Sequence, residues 1–564
     1  MKSRLSVAAL GAALAAALPA GAQVPDKPVR LVLQITVDQL RSDLIDRFSA
    51  GYGEGGFRRL LSDGAFYIDA HHRHANTETV VGHATLATGT DPAIHGMVAN
   101  NWLDRATGLL NYNVQDPDFP LVGEGAGVDA STEIDPTQAL ATTEGRSPRP
   151  ILTTTISDEF RVAMGPRSRI FGVSVKDRGA ITMAGHAGTA YWLSKAAARM
   201  VTSTYYMEDY PDWVEDWNES GVVQSYADTA WELSSDPAAY LFGASDDQPW
   251  ETDFPGWGRT FPHAYGAADG KYYTTLLTLS PAGDEITLDF AKALMEAEEI
   301  GQDEVPDYLS ISFSSTDYVG HIFGASSLEA EDNLHRLDRT LASLFDYIDE
   351  TIGLDQTLVV LSADHGSSEA PGYLSALGIG GSYFNFDELD RTEAIAVLKS
   401  EFGVAQELID QFFQPYLYLN REAVAERGLD LADVSHRVAE ELRKFPGIAY
   451  AVSSADLRAG AVALTPVTDA VLANFSEDRS GDIYVVFEPH WFVAEFDGLS
   501  VTGSHGSPWR YDTHVPVIWM GPGVPAGRMS RRVETVDVAP TIAAYLGIRP
   551  PTGSRGRVMT EILD

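Results

Sequence analysis

The sequence predicts an α/β fold, a central and mostly parallel sheet with helices on both faces. Three observations predict it. Apolar runs of strand length recur at 31–37, 170–175, 308–313, 357–361, 483–487 and 515–519. Helical stretches separate several of them. The clearest is 327–352, where Leu334, Leu337, Leu341, Leu344, Phe345 and Ile348 recur at helical spacing and Gly353 serves as C-cap. Three runs are followed by residues suited to hold a metal: Asp38 after the first, Asp317-x-x-x-His321 after the third and Asp364-His365-Gly366 after the fourth. In such sheets ligands bind beyond the carboxyl ends of the strands. The three endings therefore point to one convergent site.

The bulk properties bound the rest. At 564 residues the chain has room for a large core with insertions, or for two to three domains. Its 80 acidic and 40 basic residues give a net charge of -40, which argues against nucleic acid and anionic membranes as partners. That field is screened over roughly 8 Å at physiological salt, so a local positive cluster can still hold a small anion. There is no cysteine, which excludes disulfides, thiolate zinc sites and thiol catalysis. Lys2 and Arg4, the apolar stretch 5–18 and Ala20-Gly21-Ala22 read as a signal peptide over 1–22, cleaved before Gln23. The run is shorter than the roughly 20 residues that span a bilayer. The expectation is an exported protein, periplasmic or secreted.

Residues 23–564 read as one catalytic domain carrying two insertions. Residues 190–300 are rich in Trp and Tyr, and 370–495 are expected to hold amphipathic helices near 406–413 and 431–444 plus short strands. Both lie between site segments, which places either one to act as a lid or cap. The alternative is surface decoration. The sequence leaves the oligomeric state open.

Each motif alone is weak. Asp317 and His321 share a helix face one turn apart, as many surface pairs do. Asp38 could be a helix cap, and Asp364-His365-Gly366 a turn. Joint occurrence, in order and after strands, is far more specific. The stretch Glu78-Thr79-Val80-Val81-Gly82-His83, followed by Asn100, adds a nucleophile candidate, and Gly503-Ser504-His505-Gly506 adds a further histidine. Together these residues resemble the alkaline phosphatase superfamily. The resemblance is strongest to its PafA-type branch, the phosphate-irrepressible bacterial enzymes with a threonine nucleophile.

The resemblance spans nearly the whole mature chain and implies an alkaline phosphatase-like sandwich that hydrolyses small phosphate monoesters through a phosphothreonine. Thr79 matches the nucleophile. Asp38, Asp364 and His365 match the ligands of the Zn2+ that activates Thr79. Asp317, His321 and His505 match the ligands of a second Zn2+. Asn100, Lys176 and Arg178 match the groups that bind phosphate oxygens, and Lys176 takes the place of a Mg2+ site. The chemistry agrees, since a threonine hydroxyl is a poor nucleophile until a metal activates it. A phosphodiesterase or nucleotide pyrophosphatase of the same superfamily is the alternative, and a non-catalytic, acidic, exported metal-binding protein a remote one. Lys176 and Arg178, read as sharing one face of a strand, favour the dianionic monoester. His71-His72-x-His74 is the densest histidine tract but is not read as a ligand set. His83 and His95 are read as shaping the nucleophile loop, and His514 is the rival of His505.

Overall fold

A ten-stranded sheet organises the chain. The computed structural model describes residues 29–563, apart from 124, 142–143, 387–388, 494 and 497–498. The expected signal peptide lies outside the described residues. Numbered in chain order, the strands of this sheet are β1 (Leu31–Val37), β2 (Ala65–His71), β3 (Ile170–Ser174), β4 (Thr189–Ser194), β5 (Arg199–Val201), β6 (Asp307–Phe313), β7 (Thr357–Ser362), β8 (His514–Met520), β9 (Gly527–Met529) and β10 (Val533–Glu534). Their spatial order is β9-β2-β8-β7-β1-β6-β3-β4-β5, with β10 also on β2. The central strands β7, β1, β6, β3 and β4 are parallel. β8 runs antiparallel to both its neighbours, and β5 to β4.

Alternation along β1 assigns its residues to two cores. Leu31, Leu33, Ile35 and Val37 pack with Leu334, Leu337, Leu341 and Leu344 of a long helix and with Ile286, Phe290 and Leu294 of Pro281–Ala297. Val32 faces the other way. It joins Tyr308, Val360 and Trp519 against Phe160 and Ile542, which lie on the helices Ile156–Met164 and Val538–Leu546. Each such side chain contributes about 1.5–3 kcal/mol when fully buried. Four helices bear on the site: α1 (Thr79–Thr88), α2 (Asp177–Ala184), α3 (Ser315–Phe323) and α4 (Leu328–Thr351), the long helix just named. Ser327 caps α4 by accepting from Ala330 N–H, and Gly353 N–H closes its end on the Ile348 carbonyl at 2.8 Å with φ 99°.

The register brings the carboxyl ends of the central strands level. Val37 pairs with Phe313, Thr36 with Ser362 and Ser312 with Ser174. Asp38 N–H continues the ladder by donating to the Phe313 carbonyl at 2.8 Å.

The stretches read as insertions differ from expectation in two places. β4, from its second residue onward, and β5 fall inside 190–300 yet extend the main sheet. Residues 409–413, expected to be helical, form the strand Ile409–Phe413. That run is aromatic and short, and it pairs antiparallel with Tyr416–Leu419. Ile448–Ser453 and Ile483–Phe487 complete a second, four-stranded antiparallel sheet. One face of it, with Leu417, Leu419, Ile483 and Val485, covers the helices Glu393–Phe402 and Leu431–Leu442. The other, with Tyr416, Tyr418, Tyr484 and Val486, packs on Val80, Val81 and Ala84 of α1.

Candidate active site

Two ligand sets form at the carboxyl edge of the sheet. Asp38, Asp364 and His365 each offer a ligand atom within 4.8 Å of the others, and so do Asp317, His321 and His505. Asp38 and Asp364 follow adjacent strands, while Asp317 and His321 lie one turn apart on α3. His321 Nε2 is 3.3 Å and His505 Nε2 3.5 Å from Asp317 Oδ1. The imidazoles of His365 and His505, one from each set, stack with centroids 3.7 Å apart. The two sets are therefore neighbours.

The donor chemistry fits metal ions. Asp38 Oδ1 and His365 Nε2 are fully buried, make no hydrogen bond and face each other at 3.4 Å. Buried polar atoms left this way cost free energy unless something binds them. Burial pushes the His365 pKa well below the usual imidazole range and lowers that of His505, which keeps both rings neutral, the form that can bind a metal. Each histidine also spends its other ring nitrogen on a carbonyl: His321 Nδ1 on Gly503 O at 2.9 Å, His505 Nδ1 on Thr77 O at 2.8 Å and His365 Nδ1 on Gly366 O at 3.0 Å. That partner leaves Nε2 of His365 and His505 as a lone pair aimed at the set. Burial would lower the His321 pKa but Asp317 raises it, so its Nε2 proton gives way when a cation binds. Burial alone would raise Asp317, but Lys176 and His321 hold it well below the carboxylate range. Asp38, buried beside Asp364, is raised instead.

Thr79 begins α1, with Glu78 extended at the N-cap. Such a helix terminus points free N–H groups at an anion. Gly82 lets α1 approach closely, since a Cβ there would stand 1.9 Å from the Asp364 carbonyl oxygen. His83, one turn after Thr79, reaches Asp364 Oδ2 at 3.1 Å and Ser312 Oγ at 2.9 Å. His95, expected to shape the nucleophile loop, accepts from Met97 N–H at 3.1 Å. Asn100 gives its amide oxygen to Val80 N–H at 3.1 Å, which leaves its NH2 to donate. Glu78 accepts from Asn100 N–H at 2.6 Å, and burial pushes its carboxyl up to about 7.

Lys176 and Arg178 do not lie on a strand. β3 ends at Ser174, whose hydroxyl accepts from Lys176 N–H at 3.1 Å. Lys176 is the N-cap of α2, and Arg178 stands in its first turn. Both are buried. Lys176 Nζ lies between the two ligand sets, 2.7 Å from Asp38 Oδ2 and 2.5 Å from Asp317 Oδ2. Arg178 Nη2 donates to Thr79 Oγ1 at 3.4 Å, while its Nη1 pairs with Asp135 Oδ2 at 2.7 Å.

Thr79, Asn100, Arg178, Asp317, His321 and His505 line one pocket, with Ile134, Leu279, Ile322 and Val501 on its apolar side. Asp38, Lys176, Asp364 and His365 are buried behind it. His514 is elsewhere, opposite His71 on β2. Sequence reasoning missed two polar members. Asp135, the N-cap of the short helix Pro136–Ala139, holds Arg178 and belongs to none of the site motifs. Gln39, at φ 67°, donates its N–H to Asp364 Oδ1 at 3.1 Å and its amide to Asp317 Oδ1 at 2.8 Å, so it ties the two sets together. Its position directly after Asp38 was the available signal.

Comparison with known proteins adds the following. Residues 32–508 match the family described as type I phosphodiesterase / nucleotide pyrophosphatase. The chain is 34% identical to alkaline phosphatase PhoV of Synechococcus elongatus, over 95% of this chain and 93% of that one. It is 34% identical to a protein of Myroides odoratus named calcium-transporting ATPase, over 96% and 95%. It is 33% identical to alkaline phosphatase PafA of Elizabethkingia meningoseptica, over 95% and 94%. The crystal structure of wild-type PafA superposes with a TM-score of 0.86, covering 95% of this chain and 99% of that one.

Proposed function

The chain belongs to the type I phosphodiesterase / nucleotide pyrophosphatase family of the alkaline phosphatase superfamily, and we propose that it is an exported alkaline phosphatase, a metal-dependent hydrolase of small phosphate monoesters. One observation carries the substrate class. Two buried cations, Lys176 and Arg178, stand at Thr79 and between the ligand sets. A monoester dianion has one more negative charge than a diester and gains more from each of them. The relatives named alkaline phosphatase support the same reading.

Asp38, Asp364 and His365, with Thr79, would hold one Zn2+, and Asp317, His321 and His505 a second. The ions would supply Lewis acidity at the attacking and leaving oxygens. The chain's own residues do the rest. Thr79 Oγ1 attacks phosphorus in line, the alcohol leaves, and a phosphothreonine forms. Water then hydrolyses that ester, releasing phosphate and regenerating Thr79. The Arg178 guanidinium and the Asn100 NH2 hold the equatorial oxygens of the transferring group. Lys176 balances Asp38 and Asp317. Gln39 and His83 fix the carboxylates, and the second sheet acts as a fixed wall behind α1.

A diesterase is the second reading, favoured by the apolar side of the pocket, which would accept a second organic group. The name of the Myroides relative suits the same chemistry in its hydrolytic half, since ATP is also a phosphoryl donor. No described helix is long and apolar enough to cross a membrane. The deciding measurement is kcat/KM for an aryl phosphate against its methyl diester. A large monoester preference is expected, and a preference for the diester would favour the second reading. Thr79→Ala should keep its zinc yet lose at least about 10³-fold in turnover. Activity near the wild-type level in that variant would remove Thr79 from the mechanism.

A further inference from the structure

The histidine tract at β2 and the rival histidine at 514 belong together, away from the active site. His71 on β2 and His514 on β8 stand opposite each other in antiparallel register. Their rings stack with centroids 4.9 Å apart at 22°. Asp69, two residues before His71 on the same strand, brings Oδ1 to 2.9 Å from His71 Nε2. One ligand atom from each of the three lies within 4.8 Å of the others. We propose that Asp69, His71 and His514 form a third, structural binding site for Zn2+ or a similar borderline divalent cation.

The hydrogen bonds preset His514 for this role and let His71 adopt it. His514 Nε2 is 2.9 Å from the Ile68 carbonyl oxygen. A carbonyl only accepts, so Nε2 carries the proton and Nδ1 is a lone pair. His71 Nε2 donates to the Asp69 carboxylate at 2.9 Å when no cation is present; Thr513 Oγ1, 3.3 Å from Nδ1, can accept the ring proton there once a cation takes Nε2. A metal-binding histidine is oriented in this way, with its other nitrogen on a carbonyl or hydroxyl. Burial pushes the His71 pKa down to about 4 and lowers that of His514, so both rings are neutral at pH 7. Asp69 is one-third exposed, which gives an ion access and leaves room for water at the fourth position of a tetrahedral site. Two cations compete: Arg532, an exposed residue whose charge acts on both Asp69 and His71, and Arg510, whose Nη1 is 3.7 Å from Asp69 Oδ1. The Arg510 side chain is 68% exposed and free to turn to solvent.

An ion here would fasten β2 to the start of β8. The segment just before β8 reaches the active site, where the Asp512 carbonyl accepts from Gly366 N–H at 2.7 Å and the Tyr511 carbonyl from Ser367 N–H at 3.0 Å. The cluster lacks a nucleophile and an anion clamp, so its role is to hold the scaffold.

The test uses the full chain, stripped with a chelator, reloaded with Zn2+ and desalted. Zinc per chain and the melting temperature are then measured for the wild type, His71→Ala/His514→Ala and Asp69→Asn. The double variant should retain one zinc fewer than the wild type, hydrolyse an aryl phosphate, and lose part of the zinc-dependent rise in melting temperature. Asp69→Asn, a change at a partly exposed side chain, should weaken retention of that one zinc by about 10-fold. It decides the matter if the double variant does not fold. Equal zinc content and equal retention in wild type and variants would overturn the proposal.

Discussion

Removing Arg178 should cost a monoester far more than a diester, and the size of the difference follows from the site. Arg178 Nη2 is 3.4 Å from Thr79 Oγ1. Phosphorus approaches a nucleophile to about 3–3.5 Å before attack, so a phosphoryl oxygen sits about 4 Å from the guanidinium. At that separation and an effective dielectric of about 20, one unit charge is worth about 4 kcal/mol. The methyl diester lacks one charge, so Arg178→Ala should shrink the monoester-to-diester ratio of kcat/KM by at most about 10³. Asp135, 2.7 Å from the same guanidinium, already offsets part of its field. A shrinkage of about 10² is the expected result. The single substitution also strands the Asp135 carboxylate in the interior, a loss of about 3–5 kcal/mol in comparable buried pairs. Asp135→Asn/Arg178→Ala removes that complication and should give the same ratio. The assay is steady-state hydrolysis of an aryl phosphate and its methyl diester by the wild type and both variants, with zinc content and melting temperature recorded for each. A ratio within about 3-fold of wild type in both variants, with zinc retained, would refute the electrostatic account of substrate choice.

Two further outcomes are expected. Gly82→Ala should lower the melting temperature and reduce kcat at least about 10-fold, because the added methyl meets the Asp364 carbonyl and α1 must shift with Thr79 on it; an unchanged kcat would show that the contact does not position the nucleophile. Asp284 accepts from Ser315 N–H at 3.0 Å at the start of α3, and burial pushes its carboxyl up to about 7. A raised carboxyl is most stabilising below its unfolded value near 4 and loses that contribution as the pH climbs through 7, on the order of a few kcal/mol. Denaturant melts from pH 4 to 9 should therefore fall less steeply for Asp284→Asn than for the wild type, and parallel curves would count against the assignment.

The central strands were legible because an apolar run bounded by polar residues leaves few alternatives. β1, β6 and β7 lie where those runs predict, and the polar residues beyond them meet because parallel strands end at one edge. The turn after β3 was not legible. Val173, Ser174, Val175 and Lys176 alternate apolar and polar across the end of β3, so the pattern gave no sign that the Ser174 hydroxyl would accept from Lys176 N–H where α2 starts. Asp135 was hidden for a different reason. It meets Arg178 across the fold, and periodicity reports which face a residue occupies, not which distant charge will neutralise it. The strand Ile409–Phe413 was missed because its side chains are sorted by a sheet partner across a turn and not by a repeat of their own.

The second sheet shares its tyrosine face with Val80, Val81 and Ala84 of α1, the helix that begins at Thr79, and packing of that kind couples the opening of the two. Amide exchange from the two should report one opening event, slow and common to both. Removing this sheet would therefore lay bare Val80, Val81 and Ala84 and loosen the helix on which Thr79 sits, a consequence that trimming a surface loop does not have.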